Sequence, residues 1–426
     1  GEVTLGGPAE KGILGEEDLA TLLEAVKFWK GKTAVEKARE VATAAMGTWY
    51  DDLVEAGTQR YEAMAPVPSV VDNGRIVNEG LRSFIAEAEK HIPQWVDTRD
   101  DDIEKLYFWQ STIIALEAVI NFANRYSKLA KDMAAAEQDL GWRAELEKIA
   151  EICQWVPENP ARNFREALQS IVMCNLALKL ETGCSTATGW GLVDQYLYPY
   201  FKRDLHEGRL SLEEAADLVH DLLLCTARKE WVAELSWRDF MQKQRLSSIG
   251  LGGPNRQGED ASNELTYLIL HMMGLAKYPE PHLAIRWHKE IPDWLMRKAL
   301  ETNLRVGGGV PQFQNSEHII RYLVEHGISL EDARCFSTNG CSQVAPADSS
   351  CTMHMSWINL PLCIDLALHD GVASKTGKRL GVQTGDPSNR VKIGVVLRGI
   401  GYDDSTPTVK RQIGIVHYGA NDRPVG

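Results

Sequence analysis

The 426-residue sequence lacks several patterns that would assign a function by themselves. Its eight cysteines include no Cys-x-x-Cys pair, so their spacing suggests neither a zinc site nor an iron–sulfur cluster. Positive charge is scarce, because 46 Lys and Arg face 59 Asp and Glu and leave a net charge of −13. A chain without basic excess is poorly suited to neutralise phosphates, which argues against nucleic acid or an anionic membrane as partner.

Long apolar runs are missing as well. No uninterrupted apolar run approaches the roughly 18 residues of a membrane span. The first residues, Gly1-Glu2-Val3-Thr4, have neither the basic nor the apolar region of a signal peptide. Several cysteines, such as Cys174 and Cys225, lie in apolar helical context, which favours a reducing compartment. We therefore expect a cytoplasmic protein without a membrane span.

The hydropathy pattern predicts helices first and an alternation of strands and helices later. Hydrophobic residues make up 44% and charged residues 25%, which is typical of a globular protein. Helical spacing predicts helices over 16–29, 33–55, 78–92, 102–134 and 137–155. Strands are predicted at 247–253, 281–288 and 307–315, with helices over 292–301 and 316–326. This alternation predicts an α/β fold with a helical N-terminal part.

A short loop around Cys341 is the first candidate for a functional site. It comprises Asn339-Gly340-Cys341-Ser342-Gln343, between an amphipathic helix that ends at Gly327 and an apolar helix over 357–368. The sequence therefore predicts a tight loop between two packed helices, on which a rigid scaffold presents one thiol. For a cysteine taken alone, a small buried hydrophobe is the competing interpretation.

Several ordered segments resemble the glycyl radical enzymes of the pyruvate formate-lyase-like superfamily. The segments are the cysteine loop with the preceding Leu330-Glu331-Asp332-Ala333-Arg334, the run Pro160–Gln169, the run Gly189–Tyr200 with Trp190 where Arg is usual, and the strand that ends in Gly252-Gly253. The resemblance implies a ten-stranded α/β barrel, incomplete in this chain. It implies an N-terminal helical part at 1–150, a barrel core with the cysteine loop at 151–387, and a segment at 388–426 that does not match the family.

The same resemblance implies radical chemistry. Cys341 would become a thiyl radical that abstracts hydrogen from a small-molecule substrate. No cofactor would be bound directly, because a separate S-adenosylmethionine-dependent iron–sulfur activase installs a radical on a protein glycine. A homodimer in the cytoplasm of an anaerobic organism is also implied.

Two departures from the family bear on the reaction. Many lyases and dehydratases of the family carry Glu two residues after the cysteine, where this chain has Gln343. An amide cannot shuttle a proton, but it can hold a carboxylate or carbonyl by hydrogen bonds. The family's radical glycine lies in Arg-Val-x-Gly-Tyr, whereas Arg398-Gly399-Ile400-Gly401-Tyr402 is a loose echo that we interpret as chance.

These departures leave three functional hypotheses. Because family branches without the Glu break or form C–C bonds, we expect a radical C–C lyase or decarboxylase that acts on a small, including an aromatic, carboxylic acid. The alternatives are a radical eliminating lyase or dehydratase, and a non-catalytic or partial homologue that needs a partner subunit with the radical glycine.

Four further residues complete the predicted site. His354 follows the cysteine loop and is the best replacement acid/base if Gln343 is inert. Arg286 could bind a carboxylate through two hydrogen bonds. Phe313 and Asn315, on a predicted strand, would line the pocket with it. The histidines show no metal-ligand spacing, so we expect no metal site.

Overall fold

The computed structural model describes residues 16–57, 70–92, 100–181, 189–227, 247–278, 280–339, 343–346 and 359–381. They belong to two compact units, one built from the described residues between 70 and 346 and the other from 16–57 and 359–381. The division at residues 150 and 387 stays a prediction.

The helices and strands are numbered here in chain order over the described residues. The helices are α1 (Glu16–Trp29), α2 (Ala34–Met46), α3 (Trp49–Glu55), α4 (Asn73–Glu79), α5 (Leu81–His91), α6 (Asp100–Ala136), α7 (Leu140–Trp155), α8 (Phe164–Glu181), α9 (Val193–Tyr196), α10 (Tyr198–His206), α11 (Leu212–Ala227), α12 (Glu264–Ala276), α13 (Asp293–Val306), α14 (Ser316–Glu325), α15 (Leu330–Arg334) and α16 (Leu360–Leu368). The strands are β1 (Gly189–Leu192), β2 (Ser248–Leu251), β3 (His282–Trp287), β4 (Gln312–Asn315), β5 (Phe336–Asn339) and β6 (Gln343–Pro346).

Glycines break two of the predicted helices. The helix predicted over 33–55 is α2 and α3, because Gly47 takes a φ of +62° that ends α2. The helix predicted over 78–92 begins earlier and is α4 and α5, separated at Gly80 with φ +73°. A Cβ at Gly80 would lie 2.5 Å from the backbone of Asn159, so the glycine also admits a neighbouring loop.

The long helix α6 packs against α5 and α7 in the structure. By length and composition its part Ile103–Ala136 would suffice to cross a membrane, although charged residues such as Glu117, Arg125 and Lys128 interrupt it. Within the first unit it is instead tied to its neighbour, where Ser127 Oγ donates to the Ala150 carbonyl at 2.7 Å. Helix α6 therefore packs against neighbouring helices, while only 11% of its most apolar stretch is buried.

The sheet of the first unit contains four parallel strands in the order β1-β2-β3-β4. Helix α12 connects β2 to β3, and α13 connects β3 to β4, as parallel pairing requires. This confirms the predicted α/β class. The described strands form an open parallel sheet, and a closed ten-stranded barrel is not seen among them.

The two faces of this sheet differ in chemistry. On one face Ile249, Leu251, Leu283 and Ile285 join the main hydrophobic core with α12 and α13. Because side chains alternate along a strand, the other face carries small or polar residues; these are Ser248, Gly250, Ala284, Arg286, Gln312 and Gln314. Such a face leaves room for another element to lie against it.

The element that uses this room is a β-hairpin made of β5 and β6. The predicted loop between two helices is therefore wrong in its immediate surroundings, because strands flank Cys341 on both sides. The physical reason lies in Phe336-Ser337-Thr338 and Val344, an apolar and polar alternation with aromatic and β-branched residues that favours a strand. The upstream helix, α14, is confirmed, and Gly327 follows its end with φ +89°.

Replacing Gly253 tests the close approach of the β2 turn to β3. Gly253 has φ +80°, and a Cβ there would lie 2.5 Å from the Arg286 Cβ. We expect Gly253→Ala to lower the free energy of unfolding by about 1–2 kcal/mol from the left-handed backbone and by a further ~1–3 kcal/mol from the clash. Urea unfolding would measure both.

The matched control is Gly308→Ala, at a glycine with φ +96° and no atom within 4 Å of the added Cβ. Its free energy of unfolding should fall only by the amount due to the left-handed backbone. Equal losses of stability in the two variants would contradict the close approach.

Candidate active site

The hairpin lies against the polar face of the sheet through its first strand. At β2, a Cβ on Gly250 would come within 3.0 Å of the Ser337 Oγ, so the glycine lets β5 approach. At β4, Thr338 Oγ1 donates to Gln314 Oε1 at 3.3 Å. The side chains of Phe336, Ser337 and Thr338 are fully buried. The strand that leads to the cysteine loop is thus fixed along its length.

The two paired strands of the hairpin flank Cys341 in the sequence. Asn339 is the register partner of Gln343, so Gly340, Cys341 and Ser342 form the connection between the strands. Three-residue connections of this kind are common in hairpins. These three residues lie outside the described residues, as do His354 and Gly401, and for Gln343 the structure gives the backbone pairing alone.

Arg286 lies under the beginning of the hairpin and is fully buried. Its Nη1 donates to the Gly252 carbonyl at 2.9 Å, and its Nη2 donates to the Pro254 carbonyl at 3.1 Å and to the Arg334 carbonyl. Among the described residues its Nε has no hydrogen-bond partner. Both terminal nitrogens therefore donate to backbone carbonyls in this structure, and the contact with a substrate carboxylate stays a prediction.

A buried carboxylate, Asp194, holds the other side of the same turn. Its Oδ2 accepts from the Gly252 N–H at 2.7 Å and from Thr266 Oγ1 at 2.6 Å. Asp194 and Arg286 thus bind the N–H and the carbonyl of one residue, Gly252. Gln195 Nε2 also donates to that carbonyl, at 3.1 Å. Burial raises the pKa of Asp194 to about 6, and its hydrogen bonds and the charge of Arg286 oppose the rise.

Phe313 and Asn315 lie away from the hairpin. Phe313 pairs with Ile285, whose side chain faces the helices, and it is 40% exposed. Asn315 shares that parity and caps α14 by accepting from the His318 N–H at 3.3 Å. Gln314, on the opposite parity, is the residue of β4 that touches the hairpin. The alternation along the predicted strand was the signal that could have identified it.

A pocket of about 320 Å³ opens at the start of the hairpin. Its walls include Leu192 at the end of β1, Cys335 just before β5, and the amides of Asn73, Gln195 and Asn255. Cys335 and Asn339 are four residues apart, so about 13 Å of strand separates this pocket from the cysteine loop. Apolar surface predominates in its walls, and it lies at the end of β5 opposite the cysteine loop.

Two buried thiols among the described residues are poor candidates for chemistry. Burial raises the pKa of Cys153 to about 11 and that of Cys174 to about 12, so both are protonated at neutral pH. Within the described ranges no group of three His, Cys, Asp or Glu side chains could hold a metal ion. The chemical role of Cys341, between the paired strands, stays a prediction from the sequence.

The raised pKa of Asp194 predicts a pH dependence of stability. Its folded pKa of about 6 exceeds the ordinary value of 3.8, so its contribution to stability is present below about pH 3.8 and is lost as the pH rises through about 6. The shift corresponds to a loss on the order of 3 kcal/mol. We expect the difference in free energy of unfolding, wild type minus Asp194→Asn, to fall by this amount between pH 4 and pH 7.

Urea unfolding of the two proteins across that range would measure it. A pH-independent difference, or one that grows toward pH 7, would contradict the assignment.

Comparison with known proteins gives one consistent family. A match to the family described as Pyruvate formate lyase-like spans residues 8–393. The isethionate sulfite-lyase of Oleidesulfovibrio alaskensis is 32% identical over 395 residues, with 88% of this chain and 46% of that protein covered. The indoleacetate decarboxylase of Tractidigestivibacter scatoligenes is 29% identical, with 85% and 42% covered.

A solved structure agrees with this assignment. The crystal structure of a glycyl radical enzyme from Archaeoglobus fulgidus superimposes with a TM-score of 0.78 at 28% identity, with 89% of this chain and 49% of that chain covered. The chain spans about half the length of the curated relatives it matches. It belongs to the pyruvate formate-lyase-like family of glycyl radical enzymes.

Proposed function

We propose that this chain is the cysteine-bearing part of a glycyl radical lyase. One observation carries the proposal: the strands on either side of Cys341 pair as a hairpin, and the first of them is buried against a parallel sheet. A thiol that must meet one C–H bond of a bound substrate needs such a rigid support, because hydrogen transfer requires near contact of the reacting atoms. Family membership supplies the chemistry that the support would serve.

In the proposed reaction Cys341 acts as a thiyl radical. The substrate C–H bond breaks and an S–H bond forms, which leaves an unpaired electron on the substrate carbon. Rearrangement of that radical breaks the substrate, and the product radical takes the hydrogen back from Cys341 to regenerate the thiyl. The buried strand β5 would help to exclude water from these radicals.

The source of the radical is part of the proposal. A glycyl radical, installed by an S-adenosylmethionine-dependent activase, would oxidise Cys341 by hydrogen transfer to the glycine. No bound cofactor is then needed. We propose the homodimeric state and the cytoplasm of an anaerobe on the same basis of family membership.

We favour C–C bond chemistry on a small carboxylic acid. Gln343 stands where a proton-shuttling Glu is frequent, and its amide can hold a carboxylate without exchanging protons. A decarboxylase of an arylacetate among the relatives supports this choice. His354 would serve as the acid/base of the reaction, and Gln343 would orient the substrate.

Elimination is a second candidate. The relative with 32% identity is a sulfite-lyase, and other relatives are dehydratases, which break C–S or C–O bonds beside the abstracted hydrogen. In this case the departing group would need a proton from a residue other than Gln343.

The first experiment combines anaerobic EPR with product analysis. The protein, supplied with a C-terminal domain or partner subunit that carries the radical glycine, would be incubated with activase, S-adenosylmethionine and reductant, and then with a panel of arylacetates, isethionate and diols. We expect a glycine-type doublet in the wild type and in Cys341→Ala, but turnover in the wild type alone. Loss of the thiol should lower the rate at least about 10⁴-fold, since the covalent step has no substitute.

Cys225→Ala is the matched control, because Cys225 is an exposed thiol on α11. It should keep both the doublet and the turnover. Turnover by Cys341→Ala would overturn the proposal, and so would a wild type that shows neither doublet nor product with a proven activase.

Replacing Gln343 separates the two reaction classes. Gln343→Glu adds a proton donor next to Cys341, so it should raise elimination of isethionate or diols by about tenfold or more if elimination is the native chemistry. For decarboxylation we expect it to slow the reaction, because a carboxylate would repel the substrate carboxylate. Product ratios for wild type and variant would decide between the two classes.

A further inference from the structure

We propose that Arg286 is the positioning residue of the Cys341 hairpin, which it holds at a fixed depth on the sheet. The inference deepens the proposed function, since it concerns the same site. It differs from the predicted role of Arg286 as a substrate ligand, because both terminal nitrogens of the guanidinium bind backbone carbonyls in the structure.

The contacts of Arg286 join three separate segments. Two of its carbonyl partners, Gly252 and Pro254, belong to the turn after β2, and the third, Arg334, is the last residue of α15. Arg286 itself is on β3. The planar guanidinium donates in fixed directions, so it fixes the distance between the turn and the entry to the hairpin.

The position of Arg334 makes this contact relevant to the thiol. It precedes Cys335 and β5 directly, and Cys341 follows seven residues later. The ring of Phe336, the first residue of β5, lies 4.7 Å from the Arg286 Cζ, within the range of a cation–π contact. Arg286 therefore touches the hairpin at its entry on two sides, and the paired strands extend from there to the cysteine loop.

The electrostatics of the site indicate that Arg286 acts through its charge and its hydrogen bonds, and does not merely occupy space in the interior. Burial of a guanidinium is costly unless its donors are satisfied. Burial lowers the pKa of Arg286 to about 10, which leaves it charged at neutral pH. Asp194 binds the N–H of Gly252, and Arg286 binds the carbonyl of the same residue. The two charges therefore lie on opposite sides of one backbone residue and do not form a direct ion pair. An apolar side chain would fill the space but leave three carbonyls without these donors.

Lys298 offers a matched control elsewhere in the same unit. It is also a buried cation, 5% exposed, and its Nζ lies 4.8 Å from the ring centroid of Tyr267. Its polar contacts are His271 on α12 and Glu301 on its own helix, α13. Loss of Lys298 thus removes a buried cation and a cation–π contact without touching the hairpin.

The experiment measures the accessibility of Cys341 in the full chain. Wild type, Arg286→Met, Arg286→Lys and Lys298→Met would be treated with iodoacetamide under native conditions, and alkylation of each cysteine peptide followed by mass spectrometry. Alkylation of exposed Cys225 would normalise the rates. Thermal unfolding of each variant would give its stability.

We expect Arg286→Met to raise the alkylation rate of Cys341 by about tenfold or more, because a charged hydrogen bond that holds the hairpin is lost. Arg286→Lys should give a smaller rise, since an ammonium keeps the charge but cannot span the same carbonyls. Lys298→Met should leave the rate within about twofold at a similar loss of stability.

The proposal is overturned if Cys341 reacts at the wild-type rate in Arg286→Met, or if Lys298→Met changes the rate as much. If Arg286→Met does not fold, Arg286→Lys decides: a rate equal to that of the wild type overturns the proposal. Alkylation needs neither radical nor substrate, so a failure of the proposed reaction would leave this result intact and distinguishable.

Discussion

The hydrogen bonds from one buried guanidinium to three backbone carbonyls set the arrangement of the candidate site. Arg286 can remain charged in the interior because the turn at Gly252 and Pro254 and the end of α15 offer carbonyls at suitable distances. Each of those segments would otherwise present an acceptor to an apolar interior. Removal of the arginine would take a donor from all three carbonyls at once, and the Gly252 carbonyl would keep its hydrogen bond from Gln195. The turn, the central strand and the hairpin are in this sense one unit.

The sheet face that carries the hairpin lacks the large aliphatic side chains of the opposite face. A parallel sheet covered by helices on both sides carries aliphatic residues on both faces. Here one face has Ile249 and Ile285 against helices, while the other has Ala284 and has Gly250 where β5 approaches. Without side-chain bulk the hairpin can come close enough for Ser337 to reach β2 and Thr338 to reach β4. The polar face is therefore a docking surface for the hairpin within the same chain.

Sequence reasoning captured the features that depend on local spacing. It predicted the amphipathic helix α14, the glycine that follows it, and the alternation of strands with helices. The family resemblance, carried by short ordered motifs, was confirmed by the comparisons. Within this class of feature, the errors arose at Gly47 and Gly80, where a positive φ ends a helix that the hydrophobic spacing would continue.

The candidate site was harder to predict from the sequence, because its geometry depends on contacts between residues that are distant in the chain. Arg286 and Arg334 are 48 positions apart, and Asp194 and Gly252 are 58 apart. A basic side chain on a predicted strand looks like a substrate ligand until its carbonyl partners are known. The contact of Gln314 with the hairpin could have been predicted from strand parity, because Phe313 shares the parity of the apolar Ile285 and Gln314 has the opposite one.

The residues that anchor the hairpin and the residue two positions after the cysteine are separate features of the site. Arg286, Gly250 and Thr338 act on the strand before Cys341, and none of them needs a particular residue at position 343. A change there from a carboxylic acid to an amide can therefore alter proton transfer while the support of the thiol is kept. The fold would keep the thiol in place, and the side chains around it would decide which bond breaks.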